Sequence, residues 1–170
     1  SNPFTIQLGR NLSSTWSPIL DTAAGGWSQS TVLDTTIFSG GINPRRCGAT
    51  SGRVEVCNAA YGFNGWLGVA TVWISGSHIV QGTVKVNDSY FNTSTYNTTA
   101  WRNLVMCQEV GHTFGLDHQD TTFDNANLGT QSFNDLTSSF KISKTSTLPT
   151  SDIPDFGPNV TIFDPSTPAT

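Results

Sequence analysis

One run constrains the fold more than any other: AWRNLVMCQEVGHTFG, from Ala100 to Gly115. Trp101, Leu104, Val105 and Gln108 recur at the three- and four-residue spacing of a single helix face. Asn97 or Thr98 can accept the first free backbone N–H groups, and Gly115 can leave the helix through a left-handed residue. A helix with such a face has to be buried against another layer. The preceding text supplies one: RVEVCNA, WLGVATVWIS and SHIVQGTVKVND are rich in the β-branched and aromatic residues that suit a pleated surface. Leu67 to Ser75 is apolar on both faces, as a central strand would be. Gly76 and Ser77 read as a hairpin turn into a half-exposed strand with Val80, Val84 and Val86 on one face.

Upstream, Phe4 to Leu8 alternates as a short strand. Trp16, Ile19, Leu20 and Ala23 share a helical face, with Pro18 near the start and Gly25-Gly26 as the stop. Thr31 to Ser39 reads as another strand, and residues 41–52 as loop. After Asp120 the chain turns polar and Pro-rich, with two apolar islands, SSFKIS and NVTIF, so an irregular region is expected there. The order strand, helix, strands, helix predicts an α+β class, with two main helices packed on one sheet. The 170 residues suit a single domain, with a sheet-plus-helices part at 1–115 and an irregular part at 116–170.

The formal charge of -4 arises from few charges of either sign, and there is no basic stripe to meet a phosphate backbone, so no nucleic-acid partner is expected. No stretch approaches the ~18 to 20 apolar residues of a membrane span. The opening SNPFTIQLGR lacks the pattern of a signal peptide, as a processed chain would. Polar positions are filled by Ser, Thr and Asn, and N-x-[ST] sequons stand at Asn11, Asn87, Asn92, Asn97 and Asn159. Cys47 and Cys57 flank a Gly-containing turn and a strand that can bring their sulfurs together, which predicts a disulfide and leaves Cys107 as a buried thiol. These features together predict a secreted, extracellular, monomeric glycoprotein.

On a helix, residues four apart project to one side, so Gln108 and His112 can reach one point. Glu109 sits beside it, and Gly115 lets the chain swing His118 back toward it. Imidazole nitrogens suit zinc, a catalytic zinc keeps one position for water, and a neighbouring carboxylate can take that water's proton. His78, at the hairpin turn, reads as a hydrogen-bonded structural residue, and Asp117 as a turn or cap residue.

QEVGHTFGLDH resembles the metzincin metalloprotease signature H-E-x-x-H-x-x-G-x-x-H, with Gln108 in place of its first histidine. Glu109, His112, Gly115 and His118 match position by position in a chain that holds 3 His and has Glu only at 55 and 109. The likeness covers residues 4–120. It implies a metzincin-like fold with a twisted, mostly antiparallel or mixed sheet, and a zinc-dependent endopeptidase acting on a protein or peptide laid beside an edge strand. Glu109 would be the general base, and Gln108, His112 and His118 the Zn2+ ligands, with Asp120 as the alternative third ligand. The chain departs from the family in two respects: Gln108 itself, and the absence of a methionine turn, since the sole methionine, Met106, precedes the motif. Those departures favour a second expectation, a catalytically weakened or inactive secreted binding protein on the same scaffold.

Overall fold

The computed structural model describes residues 4–116, 138–144 and 160–163. Strand β1 (Phe4–Asn11) leads through helix α1 (Ser17–Trp27) to β2 (Leu33–Ser39), and β3 (Val54–Ala59) follows a long loop. Strands β4 (Gly68–Ser75) and β5 (His78–Asn87) form a hairpin, followed by the short α2 (Asp88–Phe91) and by α3 (Thr99–His112). Strands β6 (Ser138–Lys144) and β7 (Val160–Phe163) complete one sheet in the order β2-β1-β3-β5-β4-β6-β7. The α+β class is as expected.

The sheet is mixed, one of the two arrangements expected, and not mostly antiparallel. Among the described residues, only β4 and β5 run antiparallel; every other neighbouring pair is parallel. The cause is the connections, because a tight turn at Gly76 (φ 60°) reverses the chain whereas a crossover such as α1 returns it to the same end of the sheet. The two apolar islands of the expected irregular region form β6 and β7, so that region is not wholly irregular. Helix α1 also runs through the expected Gly25-Gly26 stop to Trp27, whose ring is anchored on α3 by an Nε1–H bond to the Cys107 carbonyl at 3.1 Å and an edge-on contact with Phe114.

Both long helices lie on one face of the sheet, over Ile6, Leu8, Val54, Val56, Val72 and Val84. Trp16 is buried at the head of α1, its indole N–H donating to Asp88 at 2.7 Å and its ring packed edge-on to Phe91. Helix α3 is capped as its sequence predicts, with the Thr98 hydroxyl accepting from the Trp101 amide at 3.2 Å.

On the opposite face, Glu55 is fully buried and accepts from Arg53 Nε (2.6 Å), Thr50 Oγ1 (2.7 Å) and Asn11 Nδ2 (2.6 Å). Asn11 Oδ1 in turn accepts from the amides of Gly41 and Ile42. With the Cys47–Cys57 disulfide, this network ties the loop between β2 and β3 to the sheet. The sequon at Asn11 is thus a core residue, as is Asn87, whereas Asn92 and Asn97 are exposed and Asn159 lies outside the described residues.

Asn87 fixes the connection between β3 and β4. Its Oδ1 accepts from the Tyr61 and Ser89 amides, and its Nδ2 donates to the Gly62 carbonyl and to Asn64 Oδ1. Ser89 Oγ accepts from the Gly62 amide, and Tyr90 Oη from the Gly65 amide. Gly62 (φ 94°) and Gly65 (φ 90°) provide the left-handed backbone that this tight loop requires.

Candidate functional site

The seat of α3 on the sheet is made by missing side chains. A Cβ at Gly68 would stand 2.6 Å from Glu109 Cγ and 2.7 Å from Val105 Cγ1, and one at Gly82 would meet Thr113 Cβ at 3.5 Å. With Ala70, these glycines form a shallow trough along the β4–β5 hairpin, and α3 lies in it. Gly111 does the same for α1, since a Cβ there would come within 2.9 Å of the Trp27 ring. A glycine inside a strand is a sign of close approach by another element, and here the element is the motif helix.

This seat buries the motif. Gln108 is 8% exposed, Glu109 0% and His112 3%. Gln108 and His112 stand one helical turn apart, as their spacing predicts, and Glu109 packs against β4 at Gly68. Beyond His112 the helix ends in a Schellman arrangement: the Leu116 amide donates to the Gly111 carbonyl and the Gly115 amide to the His112 carbonyl, with Gly115 at φ 98°. That reversal brings the Leu116 carbonyl oxygen to 2.7 Å from His112 Nδ1. A carbonyl can only accept, so Nδ1 carries a proton, and in the neutral tautomer this leaves Nε2 as the acceptor nitrogen. The cap that stops the helix also fixes the histidine's tautomer.

These residues fit a zinc ion on the chemistry of the donors. A ligating histidine commonly donates its second N–H to a backbone carbonyl, as His112 does, and the Gln108 amide oxygen one turn away is a neutral oxygen donor. Among the described residues no group of three His, Cys, Asp or Glu side chains gathers at one point; Gln108 is not of those types, and His118 and Asp120 lie outside the described residues. Burial pushes the Cys107 thiol up, so the thiolate needed for nucleophilic or metal chemistry is disfavoured.

Strand β4, where Glu109 packs, is not a free edge: β6 pairs along it from Gly68↔Ser138 to Ile74↔Lys144. His78 is exposed at the hairpin turn, where Nδ1 meets Ser77 Oγ at 3.3 Å, which fits a structural histidine. A cavity of about 600 Å³ opens past the end of α3, bordered by Thr113, Phe114, Gly115 and Gln81, but neither Glu109 nor His112 lines it.

Sequence reasoning overlooked Gly68, although a glycine inside a strand was its available signal. It also overlooked the Leu116 carbonyl, a backbone atom that leaves no mark in a sequence. No protein-family model, curated protein or solved structure matches the chain.

Proposed function

We propose that the chain is a secreted, zinc-dependent endopeptidase with a variant metzincin-like centre, in which Gln108, His112 and His118 hold the metal. The observation that supports this reading is the His112 imidazole, buried on the motif helix with its Nδ1–H donated to the Leu116 carbonyl, the orientation in which a metal-binding histidine is commonly held. Gln108 is the third ligand through Oε1; Asp120 is the alternative, since a carboxylate is an ordinary zinc ligand. A zinc ion bound there would polarise a peptide carbonyl and lower the pKa of a water molecule to about 7. Glu109 takes the proton of the attacking water on its carboxylate and passes it to the nitrogen of the leaving amine. The substrate is a protein or peptide. The Cys47–Cys57 disulfide supports an oxidising, extracellular setting.

Purified protein supplied with zinc should retain it by elemental analysis and cleave an unfolded protein substrate. Chelation should stop that cleavage, and Glu109→Ala should abolish it with the metal retained. Absence of cleavage across a broad peptide library, with zinc saturating, would sink the reading.

A second reading is a non-catalytic binding protein or effector on the same scaffold, favoured by Gln108 at the first-histidine position and by the absence of a methionine after the motif. Gln108→His separates the two. A joint gain of zinc affinity and proteolysis marks a weakened centre, whereas no gain over an active parent marks glutamine as a working ligand.

A further inference from the structure

We infer that Asn92 and Asn97, on the connection between α2 and α3, carry N-linked oligosaccharides, and that the sequons at Asn11 and Asn87 stay bare in the folded protein. The inference rests on the extracellular setting proposed above, and on neither zinc nor catalysis. Glycosyl transfer joins the anomeric carbon of a sugar to an asparagine Nδ2. The C–O bond to a lipid-linked pyrophosphate donor breaks, the pyrophosphate leaves with the electron pair, and Nδ2 loses one of its two protons. The side-chain oxygen takes no part. A sequon is therefore compatible with a glycan in the native fold only if Nδ2 faces solvent, with room for a bulky polar substituent.

The sequons among the described residues divide on that criterion. At each buried one the chemistry of the partners fixes which end of the amide is nitrogen. Asn87 is 0% exposed; its Oδ1 accepts from the Tyr61 and Ser89 amides, and its Nδ2 donates to the Gly62 carbonyl (2.8 Å), Asn64 Oδ1 (3.1 Å) and the Trp66 carbonyl (3.3 Å). Asn11 is 7% exposed; its Oδ1 accepts from the Gly41 and Ile42 amides, and its Nδ2 donates to Glu55 Oε2 (2.6 Å) and the Gly9 carbonyl (3.2 Å). A glycan on either nitrogen would remove a proton that those acceptors use and force a sugar into the packed interior. Transfer precedes folding, so burial acts as a filter, and a chain modified at Asn11 or Asn87 does not reach this fold. Asn92 and Asn97 are the reverse case. Both are exposed, and so are Ser94 and Thr99, the hydroxyl residues that complete their sequons. Asn92 closes α2 through its backbone amide, which donates to the Asp88 carbonyl at 3.0 Å, so the side chain is not needed for the cap. Asn97 is held by its oxygen: Arg102 Nη2 donates to Oδ1 at 2.7 Å, and since arginine can only donate, Nδ2 is the end turned away from it. The cap of α3 uses the Thr98 hydroxyl rather than that of Thr99, so cap and sequon do not compete. The connection enters α3 at its N-terminal end, whereas His112 ends its 14 residues, about 20 Å away along the axis. The glycans are thus rooted away from the motif.

The test secretes the full chain from a eukaryotic cell line and maps the recovered, disulfide-bonded protein. Peptide N-glycosidase in heavy-oxygen water converts each glycosylated asparagine to a labelled aspartate, which peptide mass spectrometry locates. The label should fall on Asn92 and Asn97 and on neither Asn11 nor Asn87. Asn92→Gln and Asn97→Gln should each lower the mass of the secreted protein by one glycan. Ser13→Ala, which deletes the Asn11 sequon, should leave the glycan pattern as it is in the parent. Label at Asn11 or Asn87 in protein that unfolds cooperatively, or its absence from either Asn92 or Asn97, would overturn the inference. Glycans at both exposed sites on a protein that neither holds zinc nor cleaves support the assignment while removing the peptidase reading. A zinc-holding, active protein that is bare at both sites does the reverse.

Discussion

Gly68 on β4 and Glu109 on α3 meet so closely that a methyl group on the glycine would stand 2.8 Å from Glu109 Oε1. Helix and strand cannot separate freely to admit it, because α3 is also held by Trp27 at Gly111. Gly68→Ala is therefore expected to cost about 1–3 kcal/mol of stability, the usual range for overpacking. Glu109→Asp, which shortens the side chain by one methylene, should restore part of that loss. Urea unfolding of the two single variants and the double variant measures the coupling, and strict additivity would show that the two residues do not press on each other.

Glu55 and Arg53 form the second expected sensitivity. Glu55 is fully buried while Arg53 is 27% exposed, so Glu55→Ala should cost about 1–3 kcal/mol, chiefly by removing the acceptor of Asn11 Nδ2 and Thr50 Oγ1. The Arg10–Asp21 pair provides the contrast: its side chains are 32% and 55% exposed, and Asp21→Ala should cost about 1 kcal/mol at most. Equal losses for the two variants would mean that burial does not distinguish them.

How much was legible beforehand follows from the range of the interactions. The capped helix α3 with Gly115 just past its end, the hairpin at Gly76 and the Cys47–Cys57 bridge depend on residues close in sequence, and each is readable there. Strand order was not, because alternation tells a strand which face it buries but not which neighbour it pairs with. The sequons at Asn11 and Asn87 show the same limit: three letters define the pattern, while burial is decided by residues such as Glu55 and Tyr61 far along the chain. At the site, Gln108 and His112 both lie on α3, one turn apart. His118 and Asp120 lie outside the described residues.

The disulfide closes a loop with a sequence separation of 10, for which chain entropy implies about 2–3 kcal/mol. Reduction, or Cys47→Ser combined with Cys57→Ser, should lower the unfolding free energy by that amount. The effect should be smaller if loop 40–53 remains held in the reduced protein's unfolded ensemble. Equilibrium denaturation with and without reductant gives the comparison.

Tyr61 supplies a pH prediction. Burial, reinforced by the Asp88 charge and opposed by that of Arg45, pushes its hydroxyl up from 10.0 to about 12. The fold favours the protonated phenol, so this contribution to stability is complete below about pH 10 and is lost as pH rises through about 12. The stability difference between the parent and Tyr61→Phe should shrink across that window. A constant difference would contradict the shift.

The amides of Tyr61, Gly62 and Gly65 are donated to Asn87, Ser89 and Tyr90, side chains that belong to β5 and α2 rather than to the loop itself. A surface loop ordinarily exchanges its amide hydrogens by local fluctuation, far faster than the core. In this loop exchange requires the Asn87 anchor to let go, which ties the protection of three surface amides to the opening of the β5 end. The loop therefore belongs to the same cooperative unit as the sheet, and Asn87→Ala should release all three protons together.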